Sequence, residues 1–473
     1  MLLLAVPAYW PRLLRSLWVD EAGSYWMAQK GFYEGIERAA GFSGQSMLYA
    51  AVASWFWVPD GPWMECLLRM PSVAGIGLML YFTARLASRV LGPAGGLCAF
   101  VLALFHPMTL EVFLQARPYG LAGAAVAGSY WLLYEWVERR SWRWAASYGV
   151  AVALVCYFHY LYVAALGAQL LYLAWVFFGE GRRERWGQVV AALAGAAVLV
   201  MPLAAQFLRT AAQVKELSYE ARPDLFDLVT AMTPMPLAGV AVGLICVGAV
   251  FFRGRDGKWL EMRVLGLWAG WWAMAPVALF LVSQGETVRL FVTRYLGSST
   301  VALALLLAAL AVGLFSARVV AGGAMLVALA LGGPVGWWMG SQPTKLEALP
   351  MVEIVRSITP ERPPPVFFHS LLTESNILPW RKGLEGSYAF NELVAYPIPN
   401  RVYGLPIRMD ADVEYHIKGI LDGELAGAPV VVFVKMGELP PFEVREMVNR
   451  GYRVEIQARN YYMVGIFRRN PVP

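Results

Sequence analysis

Long stretches without formal charge constrain the fold of this chain more than any other feature of its sequence. Residues 144–179 contain no Asp, Glu, Lys or Arg. This run is too long for one membrane crossing of about 20 residues but long enough for two, and Phe158-His159-Tyr160 is the polar break at its midpoint. Only 15% of the 473 residues are charged and the mean hydropathy is +0.51, whereas soluble domains carry about 25% charged residues. The composition therefore predicts an α-helical polytopic membrane protein.

The charge-free windows predict about eleven transmembrane helices. The first window, residues 1–9, is short for a span and is weakened by Pro7 and Pro11, so we expect either a start farther upstream or an incomplete helix. The other ten windows are residues 70–84, 90–110, 118–134, the two halves of 144–179, 186–208, 228–252, 264–284, 295–317 and 319–340.

Short basic loops predict the orientation of these helices. With the N-terminus inside, Arg318 and the loops at residues 85–89, 138–143, 180–185 and 253–263 all fall on the cytoplasmic side, as the positive-inside rule requires. Arg12 and Arg15 run against this assignment, but the later loops outnumber them. The basic residues of these loops explain the formal charge of +6, so the net positive charge does not imply a nucleic-acid partner.

The composition changes after Trp338. From about residue 345 the chain carries more charge and more proline, and short β-type runs appear at residues 366–368, 430–434, 454–456 and 462–467. Residues 441–450 have apolar side chains at helical spacing. We therefore predict a transmembrane domain over residues 1–342, with a first outer loop at 18–63, and a small extracytoplasmic α/β domain over residues 343–473.

An adjacent carboxylate pair, Asp20-Glu21, follows the first apolar run. Acidic residues near a bilayer are costly and indicate function by default. The predicted topology places the pair on the outer face, where Asp20 could take a proton from an acceptor hydroxyl beside a lipid-borne donor. The alternative is a solvated pair of interfacial acids, or Asp20 as a helix N-cap.

Further motifs follow in order on the same predicted face. They are Leu48-Tyr49 followed by Leu68-Arg69-Met70-Pro71-Ser72, then Gln115-Ala116-Arg117-Pro118-Tyr119, His159-Tyr160 and Arg294-Tyr295-Leu296. Together with Trp18-Val19-Asp20-Glu21-Ala22, they resemble the motifs of GT-C glycosyltransferases of the family 39-like group, which includes protein O-mannosyltransferases and lipid A aminoarabinose transferases. The resemblance covers residues 10–315. The chain departs from it at Gly44-Gln45-Ser46-Met47, where many relatives carry a His-Pro-Pro or similar element.

The resemblance implies an enzyme that transfers a sugar from a polyprenyl-phosphate donor to an acceptor hydroxyl with inversion, at the outer face of the cytoplasmic membrane. The acceptor is a glycan, a lipid or a protein, and membrane lipid surrounds the chain. Asp20 would be the general base, and Glu21 would orient the acceptor or hold Asp20. No cofactor follows from the motifs. The four histidines show no metal-ligand spacing, but a divalent metal ion stays an open alternative.

Five further residues are predicted to bind substrate. Arg117 and Arg294 would clamp the lipid phosphate through their guanidinium groups, because these groups bind phosphate bidentately and keep their charge. The alternative is that each arginine only snorkels to the interface. His159, Tyr119 and Tyr295 would complete the site, although each could equally be a packing residue.

Two other functions remain as alternatives. A lipid-sugar transporter or flippase usually shows internal repeats and ionisable groups in mid-membrane, whereas here no clear repeat is seen and the charges cluster at one predicted face. A non-catalytic scaffold, with the outer domain binding a partner, would tolerate the loss of Asp20.

Overall fold

A computed structural model gives the fold. It describes residues 2–42, 44–59, 61–176, 186–212, 221–234, 262–286, 288–342, 347–358, 361–370, 372, 375, 387–459 and 461–469. The predicted basic loop at 180–185 and most of the predicted span 228–252 lie outside the described residues, as does nearly all of the loop at 253–263.

The chain forms two compact units. The first unit comprises Met1–Leu14, Gly31–Phe56 and Cys66–Ser341, and the second comprises Arg15–Lys30, Trp57–Glu65 and Gln342–Pro473. Two short segments of the predicted first outer loop are therefore grouped with the C-terminal residues. The predicted domain limits at 342 and 343 stay a prediction.

The first unit is built from helices in every described part. Its α-helices are α1 (Leu2–Leu13), α3 (Phe32–Gly41), α4 (Met47–Ala53), α5 (Met64–Leu104, in this unit from Cys66 onward), α6 (Pro107–Glu111), α7 (Tyr119–Arg139), α8 (Trp142–Phe158), α9 (Gly167–Ala174), α10 (Trp186–Val200), α11 (Ala204–Ala212), α12 (Leu225–Met232), α13 (Met262–Val282), α14 (Thr300–Leu314), α15 (Ala317–Gly332) and α16 (Pro334–Ser341); α2 belongs to the second unit. Within the described residues, 3₁₀ helices interrupt the series at Tyr160–Leu166, Met201–Leu203 and Thr293–Ser299.

Several of these helices are apolar and long enough to cross a membrane, which makes the chain a multi-pass membrane protein. Within the described ranges there are four such spans, and a fifth if α15 and α16, bent by 44°, form one broken span. The four are Met64–Leu104, Trp186–Ala212, Arg263–Val282 and Thr293–Leu314. The count of about eleven spans stays a prediction.

Helix α5 contains two of the predicted spans. It has 41 residues, far more than the ~20 needed for one crossing. Gly92 has a positive φ of 79° and divides the helix there, a conformation that glycine adopts without strain. The predicted third span runs on to residue 110, but α5 ends at Leu104 because Pro107 starts a new short helix, α6.

Close backbone contact joins α5 to α7. A Cβ added at Gly75 would lie only 2.5 Å from the backbone of Gly120 and Leu121. Small residues at such crossings let helices in a membrane approach and gain van der Waals contact. Gly77 lies in the same helix, but a Cβ there would meet nothing within 4 Å.

These two glycines give a matched test of the α5–α7 contact. Gly75→Ala should lower the stability of the protein by about 1–3 kcal/mol, because the added methyl group must push two helix backbones apart. Gly77→Ala should leave stability unchanged or raise it by up to about 1 kcal/mol through helix propensity. Thermal unfolding of the purified protein in detergent measures both changes, and equal melting temperatures would mean that the close contact contributes nothing.

The second unit contains one mixed sheet with helices around it. Its helices are α2 (Val19–Ala28), α17 (Leu349–Ser357), α18 (Asn391–Ala395), α19 (Ala411–Asp422) and α20 (Pro441–Asn449), with a 3₁₀ helix at Tyr388–Phe390. Its strands are β1 (Val366–His369), β2 (Val402–Leu405), β3 (Val430–Met436), β4 (Tyr452–Arg459) and β5 (Tyr462–Arg469).

The strand order in the sheet is β2-β1-β3-β5-β4. β1 runs parallel to both β2 and β3, whereas β5 runs antiparallel to β3 and β4. Aromatic side chains fill the core, with Phe367 stacked on Phe433 at 4.6 Å between ring centroids. α19 packs Val413, Ile417 and Leu421 into the same core, one residue from each successive turn.

The predicted α/β character of this region is confirmed. The runs at 366–368, 430–434, 454–456 and 462–467 lie in β1, β3, β4 and β5, and the predicted helix 441–450 is α20. β2 was missed, because it is short and contains Gly404, a residue depleted in strands. A Cβ at Gly404 would lie 2.3 Å from the ring of Phe390, so packing explains the glycine.

Candidate functional site

The seven predicted site residues fall into two groups. Arg117, Tyr119, His159, Arg294 and Tyr295 lie in the first unit, where the structure brings them together. Asp20 and Glu21 lie in the second unit, in the first turn of α2.

The group in the first unit is centred on the His159 ring. His159 ends α8, where its extended backbone (φ −157°, ψ 99°) breaks the helix before the 3₁₀ helix Tyr160–Leu166. The His159 ring centroid lies 5.2 Å from that of Tyr119, 4.7 Å from Tyr162, 5.3 Å from Tyr295 and 6.0 Å from Tyr160. A polar ring is therefore enclosed by four tyrosines drawn from three separate segments.

Two guanidinium groups lie beside these rings. The Cζ atom of Arg117 is 5.9 Å from the Tyr119 ring centroid, and that of Arg294 is 5.4 Å from the Tyr295 ring centroid. Such cation–π contacts stabilise a desolvated cation. Arg117 is only 7% exposed, and its Nη1 donates a hydrogen bond to Gln45 Oε1 at 2.8 Å.

Backbone contacts hold the two arginines in place. The hydroxyl group of Ser72 donates a hydrogen bond to the Arg117 carbonyl oxygen at 3.0 Å. The hydroxyl group of Tyr162 donates to the Arg294 carbonyl oxygen at 3.1 Å. The backbones of both arginines are thus held by residues from other helices, which supports a preorganised site.

His159 is electrically neutral in this setting. Burial lowers its pKa to about 3, and the positive charges of Arg117 and Arg294 act in the same direction. Its buried Nδ1 has no hydrogen-bond partner among the described residues. A neutral imidazole between two cations leaves the cluster with net positive charge, which suits an anion.

A largely apolar pocket of about 300 Å³ adjoins this cluster. Gln45, His159, Tyr160, Val163 and Phe207 are among the residues that line it. Its apolar walls beside the cationic cluster would suit a molecule with a charged head and an apolar tail.

Hydrogen bonds join α11 to α3 and to the segment before α4 beside this pocket. The Gln206 Nε2 atom donates hydrogen bonds to the carbonyl oxygens of Ala39 and Gln45, at 2.9 and 2.8 Å. The sequence reading missed both glutamines. Gln45 lies in Gly44-Gln45-Ser46-Met47, where the sequence departs from the motif pattern that it resembles, and that departure was a usable signal because Gln45 bonds to Arg117.

Asp20 and Glu21 have different surroundings on α2. Glu21 is 2% exposed, and its carboxylate accepts a hydrogen bond from the Trp18 backbone N–H at 3.4 Å. A glutamate at the third helical position that reaches back in this way caps the helix. Asp20 is only half-buried, so it is the more accessible of the two carboxylates.

Residues from the C-terminal part of the second unit pack against α2. A Cβ at Gly23 would lie 3.0 Å from the Tyr388 ring and 3.2 Å from Asn391 Nδ2, and Trp26 meets Tyr388 edge-on at 5.6 Å. The Tyr396 hydroxyl group accepts a hydrogen bond from the Leu17 N–H at 2.6 Å. The Asp20-bearing helix is therefore fixed by residues nearly 400 positions later.

Glu392 is a buried acid in this contact that the sequence reading missed. It is 0% exposed, and neither carboxylate oxygen has a hydrogen-bond partner among the residues described. The pKa of Glu392 is raised to about 8, chiefly by burial, and the negative charge of Asp20 acts in the same direction, whereas the residue's own backbone N–H opposes the rise. One feature of the sequence could have revealed Glu392: it is the lone acid in the largely apolar run Phe390-Asn391-Glu392-Leu393-Val394.

Glu392 should make the stability of the second unit depend on pH. The folded unit holds this proton up to about pH 8, whereas the unfolded chain releases it near pH 4.3. Between these values the unfolded state binds fewer protons, so stability falls as pH rises, by about 1.4 kcal/mol per pH unit for one full proton.

Glu392→Gln removes this titration while keeping the size of the side chain. The melting temperature of the variant should match the wild type near pH 4.5 and exceed it increasingly up to pH 8. Thermal unfolding across this range, with Glu353→Gln on α17 as an exposed control, measures the effect. Parallel pH profiles for the wild type and Glu392→Gln would show that Glu392 does not hold a proton.

A bound divalent metal ion stays a prediction without a known ligand set. Within the part of the chain that the structure describes, no three His, Cys, Asp or Glu side chains lie close enough together to hold an ion. The open alternative of a divalent metal ion therefore gains no candidate ligand set.

The chain is similar over almost its whole length to ArnT from Cupriavidus metallidurans. The ArnT structure bound to undecaprenyl phosphate is 12% identical, with 98% of this chain and 96% of that chain covered and a TM-score of 0.58. The apo structure is 14% identical, with the same coverage and a TM-score of 0.56. The chain has the ArnT fold.

This likeness confirms the GT-C fold that the five motifs predicted. It also confirms the predicted class, a polytopic membrane protein with a small C-terminal domain. At this level of identity the likeness establishes the fold alone. No family model matches the sequence, and no curated protein matches it either.

Proposed function

We propose that the chain is a membrane glycosyltransferase that moves a sugar from a polyprenyl-phosphate donor to an acceptor hydroxyl. The observation that carries the proposal is the Arg117–His159–Arg294 cluster, a net cationic site enclosed by tyrosines beside an apolar pocket. The ArnT structure with bound undecaprenyl phosphate supports it, because that protein has the same fold. The reaction would take place at the outer face of the cytoplasmic membrane, with the C-terminal domain outside.

The cluster fits the leaving group of this reaction. Breaking the bond between the anomeric carbon and the phosphate oxygen leaves both bonding electrons, and so negative charge, on the polyprenyl phosphate. Arg117 and Arg294 keep their positive charge at any physiological pH, and charge placed where negative charge develops lowers the barrier. Neutral His159 would donate a hydrogen bond to a phosphate oxygen without adding charge in the free enzyme.

Asp20 would be the general base. It takes the proton of the acceptor hydroxyl group while the acceptor oxygen forms a bond to the anomeric carbon and the phosphate leaves from the opposite side. One displacement of this kind inverts the anomeric centre. Glu21 would orient the acceptor or hold Asp20 in place, and its hydrogen bond to Trp18 at the start of α2 supports the second role. Tyr119 and Tyr295 would shape the phosphate site through their contacts with the arginines.

The donor sugar would be a hexose or a pentose, and the acceptor would be a glycan, a lipid or a protein. Glycan, lipid and protein acceptors all present hydroxyl groups. Transport of a lipid-linked sugar and a scaffold role remain the alternatives, and no observation favours either. The same transfer assay separates them from the enzyme.

Replacing Asp20 tests the proposed base. Asp20→Asn should lower sugar transfer by about 10²- to 10⁴-fold, the usual contribution of a positioned general base. Asp412→Asn is the matched control, since Asp20 and Asp412 are each the second residue of a helix in the second unit. The assay supplies labelled polyprenyl-phosphate sugars to membranes at equal expression and follows label out of the lipid fraction.

Equal transfer by the wild type and Asp20→Asn would exclude Asp20 from the chemistry. Absence of transfer from every donor by the wild type would contradict the enzyme and favour transport or scaffolding. A loss of similar size in Asp412→Asn would indicate a general effect of removing helix charge.

Replacing Arg117 tests the phosphate site separately from the chemistry. Arg117→Gln should weaken binding of undecaprenyl phosphate by about 10- to 150-fold, because a hydrogen bond to a charged group is worth about 1.5–3 kcal/mol. Arg318→Gln is the control, since Arg318 is exposed at the start of α15. Native mass spectrometry with a lipid titration measures both affinities, and unchanged binding in Arg117→Gln would place the phosphate elsewhere.

A further inference from the structure

A second cavity lies in the first unit, with a volume of about 540 Å³. It is open on one side and is lined by residues of α6, α12, α13, α14 and the 3₁₀ helix Thr293–Ser299, among them His106, Phe226, Thr230 and Trp272. None of its described lining residues also lines the pocket beside His159. It is therefore separate from the site assigned above to the lipid phosphate.

The 3₁₀ helix Thr293–Ser299 separates the two sites. Side chains three residues apart eclipse one another in a 3₁₀ helix, and Thr293, Leu296 and Ser299 line the cavity. Arg294 and Tyr295 do not line it and instead contact the His159 cluster. One short helix thus presents different faces to two sites.

His106 provides an unused hydrogen-bond donor in this cavity. It is 2% exposed, and its Nδ1 accepts a hydrogen bond from the Met108 N–H at 3.1 Å. Burial lowers the pKa of His106 to about 4, so the ring is neutral and its one proton is on Nε2. That Nε2 has no partner within the described ranges.

Ser299 adds a second unsatisfied group. It is 7% exposed, and its hydroxyl oxygen also lacks a partner among the described residues. Buried polar groups without partners are rare and usually mark a site that a ligand or water completes. Two such groups in one cavity indicate a ligand with a hydrogen-bonding oxygen.

The charges around the cavity are already engaged. Among the described lining residues, the charged ones are Arg222 and Asp227, and both are exposed. Arg222 Nε donates to Gln284 Oε1 at 2.8 Å, and the Asp227 carboxylate accepts from the Asp224 N–H at 2.8 Å. The buried end offers neutral groups, which match an uncharged oxygen better than a phosphate.

The apolar surface beside the cavity indicates where its ligand comes from. Leu225, Phe226 and Val229 on α12 are 70%, 74% and 59% exposed. An apolar helix face of this kind lies in the membrane interface. Trp272 holds α12 in place, because its Nε1 donates a hydrogen bond to the Met232 carbonyl oxygen at 3.0 Å. Because the exposed face of α12 is apolar, a ligand that enters past this helix would come from the lipid phase.

We propose that this cavity is a second lipid-binding site, which takes a lipid through an uncharged oxygen, either a hydroxyl or an ester carbonyl, that accepts a hydrogen bond from His106 Nε2. The inference goes beyond the proposed sugar transfer and does not depend on it, since binding alone is measured.

Photolabelling of the full-length protein in detergent tests the proposal. A photoactivatable diacylglycerol should label peptides within residues 221–234 or 293–303, located by mass spectrometry. His106→Asn keeps an acceptor for the Met108 N–H but withdraws the Nε2 donor, so labelling should fall by about 2- to 10-fold, the value of one neutral hydrogen bond. Thr230→Trp should abolish labelling by filling the cavity, whereas Val229→Trp, on the same helix but not part of the cavity lining, should not.

Two competitors distinguish the sources of the oxygen. A dialkylglycerol has the hydroxyl but no ester carbonyl, and an O-methyl diacylglycerol has the carbonyls but no hydroxyl. Competition by either one supports the site and identifies the oxygen. All variants must show wild-type melting temperatures.

Three results would overturn the proposal. The first is equal labelling in the wild type, His106→Asn and Thr230→Trp. The second is no competition by either lipid. The third is displacement of the diacylglycerol by undecaprenyl phosphate, with that lipid labelling the cavity itself, because the cavity would then belong to a charged carrier lipid.

Discussion

The placement of two cations beside a buried histidine is the constraint on which the first unit depends. Desolvated guanidinium groups are costly unless other groups compensate for the lost water. Here the faces of Tyr119 and Tyr295 and the Gln45 oxygen supply that compensation. Helix breaks at His159 and at Thr293–Ser299 are what allow residues from different helices to converge. Without the breaks, the same side chains would be spread along continuous helices facing lipid.

In the second unit, several contacts hold α2, a short helix that bears two carboxylates. Glu21 satisfies the start of α2 through the Trp18 N–H. The Tyr396 hydroxyl group joins the Leu17 N–H to Glu65 Oε1, at 2.6 and 2.9 Å. Three distant pieces of sequence therefore meet at one hydroxyl group. This packing buries Glu392, and burial raises the pKa of its carboxyl group.

Much of this architecture could be predicted because its causes are local. Apolar runs identify helices that can cross a membrane, since every backbone polar group there must be satisfied within the helix. Runs such as Val430–Met436 identify strands, because β-branched residues suit a pleated, buried surface. The same reasoning failed where packing alone sets the structure. β2 contains Gly404 because the Phe390 ring lies against it, and nothing within residues 402–405 reveals that ring.

The sequence by itself determined the membrane class, the C-terminal α/β region and the identity of five residues that come together around His159. It could do so because composition, periodicity and motif order are carried by neighbouring residues. Only the tertiary structure decided that Gln45 bonds to Arg117, that Glu392 is buried against α2 and that His106 has an unused donor in a cavity. These are properties of surroundings: desolvation and hydrogen-bond satisfaction depend on which distant segments approach a side chain, and the local sequence does not specify that approach.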